Sequence, residues 1–142
     1  GTVRENITLG KYGVDDEMVM DALEAVSAID GLNQLEDGLN TLLFPEGVKI
    51  PKSLGKKIIL ARSIVSKPKL LLMELETDFM IRKEEDKFYD YLLSKPWTVI
   101  AVSDNSKFME KADRVFFMDK GEIKFEGQLN DLKSSDYVEY IR

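Results

Sequence analysis

Gly10-Lys11 and Gly55-Lys56 are the only Gly-Lys pairs in the sequence. A loop that wraps phosphate groups in its own backbone N–H donors needs the spacing Gly-x-x-x-x-Gly-Lys-[Ser/Thr]. Glu5 and Ile50 stand where the earlier glycine belongs, and Tyr12 and Lys57 where the Ser or Thr belongs. Neither pair builds that nest. Trp97 offers a ring face for stacking a base, but it opens an apolar stretch and reads better as a packing residue at a sheet edge. The mixed charges from Arg82 to Lys87 read as a solvated helix face. The chain has no cysteine, which excludes disulfides, thiol catalysis and Cys-based zinc sites. It has no histidine, which removes the commonest general base near neutral pH and the commonest metal ligand.

The 142 residues suffice for one domain or for part of a larger one. Apolar residues make up 44% and charged residues 32%, enough hydrophobic material for a core. The net charge of −6 argues against a nucleic-acid groove, which needs a basic patch to displace counterions. No apolar run approaches the ~18–20 residues that span a bilayer, and no secretory signal is visible. Residue 1 is glycine and not an initiator methionine, so the expectation is a piece of a longer protein with a tag remnant or a cut boundary at its start.

The elements that position these residues follow from periodicity. Residues 15–29 read as an amphipathic helix with Asp15 and Asp16 at its start and Met18, Ala22, Ala25, Val26 and Ile29 inward. Residues 30–48 read as short helical turns and loops. Pro51 opens a second helix at its first position, running to about residue 66, with Leu54, Ile58, Ala61 and Val65 on one face. Lys67-Pro68 ends it. The apolar runs 70–73, 98–102 and 115–118 read as buried strands. A third helix covers 81–94, with Phe88, Tyr91 and Leu92 inward. Asp119-Lys120-Gly121 turns the chain into an alternating strand over 122–126. Short helices are expected at 129–132 and 137–141. Apolar strands separated by helices give an α/β layer with a mainly parallel sheet.

Several strings, in order, resemble the ATP-binding domain of ABC transporters of the exporter type. Gly1-Thr2-Val3-Arg4-Glu5-Asn6-Ile7 looks like the segment after the family's glutamine loop. Gly38-Leu39-Asn40-Thr41 resembles its Gly-Leu-Asp-Thr stretch, and Leu60-Ala61-Arg62-Ser63-Ile64 its Leu-Ala-Arg-Ala-Leu pattern. Lys67-Pro68-Lys69-Leu70-Leu71-Leu72-Met73 is similar to the approach to Walker B. Arg114-Val115-Phe116-Phe117-Met118-Asp119-Lys120-Gly121-Glu122-Ile123, followed by Glu126-Gly127, is similar to the closing hairpin.

The resemblance implies roles that this sequence meets only in part. The signature Leu-Ser-Gly-Gly-Gln falls on Ile50-Pro51-Lys52-Ser53-Leu54. Both glycines are gone, and Pro51 replaces the hydroxyl and removes an N–H. Lys52 and Ser53 keep an ammonium and a hydroxyl that suit phosphate, against the plainer reading of a proline-opened helix. The Walker B aspartate falls on Glu74, a carboxylate one methylene longer, which could hold Mg²⁺ through a water. The catalytic glutamate falls on Leu75, which can neither accept a proton nor orient water. Glu76 is one residue late and on a strand would face the other way. The final aspartate of the following loop, Asp78-Phe79-Met80-Ile81, becomes Ile81. The switch histidine falls on Asp104; at ~4 Å and an effective dielectric of ~20, two unit charges interact by ~4 kcal/mol, so an anion there opposes a γ-phosphate. The plainer reading of Asp104 is a cap for the next short helix, with Asn105 competing.

The fold class implied is α/β: the C-terminal part of a P-loop NTPase-like domain. Residues 1–67 would be a helical subdomain with a degenerate signature region. Residues 68–142 would be an α/β core portion with flanking helices and a closing hairpin. The function implied is a degenerate ATP-binding half that hydrolyses nothing by itself and serves a structural or regulatory role in an ATP-driven transporter. The alternatives are part of a working ATP-hydrolysing transporter whose upstream portion supplies the phosphate loop, and an interaction module without a transport role. The cofactor-binding candidates are Lys52, Ser53 and Glu74, with Glu74 also the metal candidate; no catalytic residue is assigned. The fragment is expected to need no cofactor, and the parent family ATP and Mg²⁺. Expected partners are a transporter membrane domain and a second ATP-binding domain, on the cytoplasmic side of a membrane, with no nucleic acid. In this family the phosphate-loop strand separates the switch strand from the one after it. Without it, 98–102 and 115–118 would either close directly or take up another copy of the chain, because an open apolar edge invites pairing.

Overall fold

The computed structural model describes residues 1–44, 50–137 and 139. Its elements are α1 (Val3–Thr8), α2 (Asp16–Ala25), α3 (Ile29–Asn33), a 3₁₀ turn (Gly38–Asn40), α4 (Lys52–Ile64), β1 (Leu70–Glu74), α5 (Arg82–Ser94), β2 (Thr98–Val102), α6 (Ser106–Lys111), β3 (Val115–Asp119), β4 (Glu122–Gly127) and α7 (Leu129–Lys133). The fold class is α/β, as expected. Two compact units are present. One comprises Gly1–Leu72 with Thr77–Ile100, and the other Met73–Glu76 with Ala101–Arg142.

The first unit is helical packing. α1 begins with a capping box: Thr2 Oγ1 accepts from Glu5 N at 3.1 Å, and Thr2 N donates to Glu5 Oε2 at 2.7 Å. That Thr-x-x-Glu signal was present in the sequence and locates a helix that periodicity over six residues could not. Val3 and Ile7 are fully buried, and Arg62 of α4 donates to Asn6 through Nε, at 2.6 Å to the carbonyl, and Nη2, at 3.1 Å to Oδ1.

Asp15 caps α2, accepting from Met18 N at 2.9 Å. The helix expected over 15–29 is two helices, because Ser27 takes the left-handed conformation at φ 55 and breaks it. Of its inward face, Ala22, Ala25 and Val26 are buried as expected, while Met18 and Ile29 are half-buried and Val19 and Leu23 are fully buried in addition. Pro51 is the N-cap of α4, not its first helical residue, and the helix ends at Ile64, before Lys67 at φ 46. In α5 it is Tyr89, together with Phe88 and Leu92, that is fully buried; Tyr91 is half-buried.

Lys69 O accepts from Thr98 N at 2.9 Å, and Leu75 N donates to Val102 O at 2.8 Å. The two bonds advance in the same direction along both chains, so β1 and β2 pair in parallel. α5 is the crossover between them. The strands are less covered than their continuous apolar runs suggested. Leu71 is buried, but Leu72 is 65% and Leu70 51% exposed, and β2 holds no fully buried residue. Period-two alternation sends Leu70 and Leu72 to one face and Leu71 to the other. A run apolar on both faces signals cover on both sides, and among the described residues one side has it.

In the second unit, β3 and β4 form an antiparallel hairpin closed by Lys120 (φ 49) and Gly121 (φ 80). Two consecutive left-handed residues make the turn whose twist matches a hairpin. A bulge at Phe117/Met118 shifts the register, Phe117 facing Phe125 and Met118 facing Ile123. Val115, Leu129 and Leu132 form a small core with Met109, Phe117 and Tyr137 against it, Phe117 stacking on Tyr137 at 4.6 Å. The two pairs are separate two-stranded sheets, so 98–102 and 115–118 do not pair directly. The helix expected over 137–141 and the loop residues 45–48 lie outside the described residues.

Candidate functional site

Lys52 and Ser53 occupy the first turn of α4, and both are exposed. Pro51 before them has neither a side-chain acceptor nor an N–H, and makes no side-chain cap; its carbonyl accepts from Gly55 N at 3.1 Å. The next two lysines are engaged. Lys56 Nζ lies 3.0 Å from Asp78 Oδ1 and 5.0 Å from the centre of the Phe79 ring. Lys57 Nζ lies 2.7 Å from Glu84 Oε1 and donates to Ser27 O at 3.0 Å. The Lys57–Glu84 pair is largely buried, where partners matter more than at the surface. Glu84 also accepts from Ile81 N at 3.2 Å through its other oxygen, capping α5. Sequence reading placed Glu84 on a solvated face and missed this contact; no local signal marks a pair 27 residues apart.

The segment after β1 is held by a second polar group. Thr77 is buried, and its hydroxyl meets Glu85 Oε1 at 2.6 Å and Tyr89 Oη at 2.9 Å. Burial pushes the Tyr89 phenol above its ordinary range, with the Thr77 hydrogen bond pulling the other way and the nearby Glu85 and Asp86 carboxylates adding to the rise. Tyr91 is raised for the same first reason, with Asp21 adding to it.

Glu74, in the second unit, is the exposed last residue of β1. Leu75 follows at 7% exposure, with its N–H committed to Val102 O. Glu76 is exposed again. The alternation expected between Leu75 and Glu76 is therefore present, with the hydrocarbon inward. Asp104 does not cap α6: Asn105 does, its Oδ1 accepting from Lys107 N at 3.0 Å and from Phe108 N at 3.4 Å. Asparagine one residue later reaches the orphan N–H groups with its own backbone already extended. Trp97 does pack, its Nε1–H donating to Leu92 O and its ring meeting Tyr91 edge-on at 5.9 Å.

The multidrug resistance ABC transporter ATP-binding and permease protein of Lactococcus lactis subsp. cremoris is 30% identical over 146 residues, 99% of this chain and 25% of that protein. The leukotoxin translocation ATP-binding protein LktB of Mannheimia haemolytica is 29% identical over 133 residues, 92% of this chain and 19% of its own length. The homologues of this chain are ABC transporter proteins. The fold agrees: a bacterial Atm1-family ABC exporter solved with ATP bound superposes with a TM-score of 0.85 at 22% identity, over 98% of this chain and 25% of that one. No family model matches. The chain spans about a fifth to a quarter of the length of these ABC relatives. It resembles part of ABC ATP-binding and permease proteins, and its fold is that of part of an ABC exporter.

ATP and Mg²⁺ are the groups that this family implies. The residues here do not make up the donor set for them. The position assigned to the catalytic glutamate is a packed leucine, and the position assigned to the signature serine is a proline cap without a donor. Among the described residues, no three carboxylates gather as a metal site. Also among them, no helix is long and apolar enough to cross a membrane.

Proposed function

We propose that this chain is the C-terminal portion of a degenerate ABC exporter ATP-binding domain, catalytically silent by itself, kept as a structural or regulatory half of an ATP-driven transporter. Residues 1–67 supply the helical part and 68–142 the α/β part. Its partners are a transporter membrane domain and a second ATP-binding domain, on the cytoplasmic face of the membrane. Lys52, Ser53 and Glu74 are the vestige of a nucleotide and metal site, each keeping polarity without the neighbours that the reaction needs. Strand edges open among the described residues give the isolated chain a route to self-association, which light scattering on a dilution series reads directly.

The observation that carries this reading is Leu75. It is buried, its N–H is spent on Val102, and its side chain has no lone pair with which to orient water. A placed general base contributes roughly 10²–10⁴-fold, which a leucine at this position cannot supply. Glu76, the next residue, is exposed where Leu75 is buried.

Phosphate release from Mg-ATP tests the reading. The chain should release no more than buffer does, and Leu75→Glu should not gain turnover, since a new carboxylate alone restores neither a phosphate loop nor a signature. Magnesium-dependent turnover that disappears in Glu74→Ala would refute it.

A further inference from the structure

We propose that the start of α4 is a ligand-independent packing joint, held in place by side chains of its own unit and indifferent to nucleotide phosphates. This rests on the reading above that the signature region is degenerate, and it goes further by saying what the region now does.

Leu54 carries the argument. It stands where the resemblance places the last signature residue, a polar one, and it is only 5% exposed. It packs on Gly31 of α3. A Cβ built on Gly31 would stand 2.9 Å from Leu54 Cδ1, 3.3 Å from Cδ2 and 3.5 Å from Cγ. Glycine is a poor helix former, and Gly31 is not among the glycines with positive φ, so no turn requires it there. The close approach of Leu54 does. Glycine on one helix and leucine on the other form a fitted contact that sets α3 against the first turn of α4.

Two charged ties fix the second turn. Lys56 pairs with Asp78, and Lys57 with Glu84 and the Ser27 carbonyl. Ser27 is the left-handed residue between α2 and α3, and Glu84 caps α5, so Lys57 joins three elements at one ammonium. Pro51 completes the joint by presetting the entry to the helix at φ −54 while offering no N–H. A helix start that had to close on an anion would offer donors and loose lysines. This one keeps an exposed Lys52 and Ser53, but beside them stand a proline without an N–H, a buried leucine and two lysines committed to partners.

The test is hydrogen exchange of the full chain, followed over 29–33 and 50–58, with and without Mg-ATP and, separately, sodium triphosphate. Neither ligand should slow exchange there, and the thermal midpoint should not move. Gly31→Ala should speed exchange in both segments by roughly threefold to tenfold, because the new methyl would stand 2.9 Å from Leu54 Cδ1 and the leucine must shift to admit it. In a Leu54→Ala background the same substitution should have much less effect, since the space is then open. This comparison stays readable if Gly31→Ala alone folds poorly. Saturable protection of 52–55 by either ligand, or equal effects of Gly31→Ala in both backgrounds, would overturn the joint. Protection without turnover would sink the joint and leave the silent-half reading standing. Turnover without protection would do the reverse.

Discussion

The two units bury their apolar residues very differently. In the one made of Gly1–Leu72 and Thr77–Ile100, five helices close on one another, and the largest fully buried side chains, Tyr89, Phe88, Ile7 and Leu23, all belong to it. In the one made of Met73–Glu76 and Ala101–Arg142, the core is Val115, Leu129 and Leu132, and Val102, Phe116, Met118 and Ile123 are exposed around it. Helices can satisfy their backbones internally and need only one apolar stripe covered. A two-stranded hairpin has two faces and two edges to manage, and is marginal without further layers. The contrast lies in the depth of the buried core and not in exposed apolar surface, since Leu70, Leu72 and Ile100 of the helical unit are exposed as well.

The largest predicted effects test the depth of the two cores. Phe88→Ala should cost about 3–5 kcal/mol by urea unfolding, because a fully buried ring leaves a cavity among packed helices. Val115→Ala should cost about 1–2 kcal/mol, since the side chain is smaller and its surroundings shallower. Equal costs would mean that the second unit is as tightly built as the first.

The hairpin turn comes next. Gly121 sits at φ 80 with open space where a Cβ would stand, so Gly121→Ala meets backbone strain and no clash. The expected cost is about 1–2 kcal/mol. It should appear as faster exchange in β3 and β4, with α4 and α5 unchanged. A loss spread evenly over the chain would join the two units into one cooperative body.

A cap separates two neighbouring residues of the second unit more finely. Asn105→Ala should cost about 1 kcal/mol, and Asp104→Ala well under half of that, because Asn105 makes the two N-cap bonds to α6. The reverse order would return the cap to Asp104.

How far the sequence anticipated this structure depended on how local each signal was. The strand runs, the proline before α4, the Lys-Gly hairpin turn and the α/β order were legible because each lies within a few residues. The break at Ser27 was not, since nothing in Ala25-Val26-Ser27-Ala28 marks a left-handed serine. The periodicity of α5 names Tyr91 for the inward face and leaves Tyr89 out, whereas Tyr89 is the one fully buried. What chooses between them is Thr77, twelve residues away and buried against the Tyr89 hydroxyl. At the site, substitution itself was readable, as with Leu75 for an acid and Pro51 for a hydroxyl. The replacement contacts were not: Leu54 on Gly31 and Lys57 on Glu84 join residues more than twenty positions apart.

The smallest effect concerns pH, and it belongs to the helical unit alone. Tyr89 titrates above its ordinary 10.0 in the folded chain, chiefly through burial. Between the unfolded and the folded values the native state therefore holds more protons than the unfolded one. Linkage then makes stability fall as pH rises. The Tyr89 contribution is fully present below pH 10.0 and is lost as pH climbs through the raised folded value. Tyr91 is raised as well, so the quantity to read is the difference between wild type and Tyr89→Phe. That variant keeps the Thr77–Glu85 bond and should be less stable at neutral pH by about 1 kcal/mol, the usual worth of a hydrogen bond. Its deficit should shrink above pH 10.0, as wild type loses what the variant never had. A deficit that stays constant to the alkaline limit would mean that the phenol is no better shielded than the exposed strands of the second unit, and the comparison between the two cores would lose its clearest titratable witness.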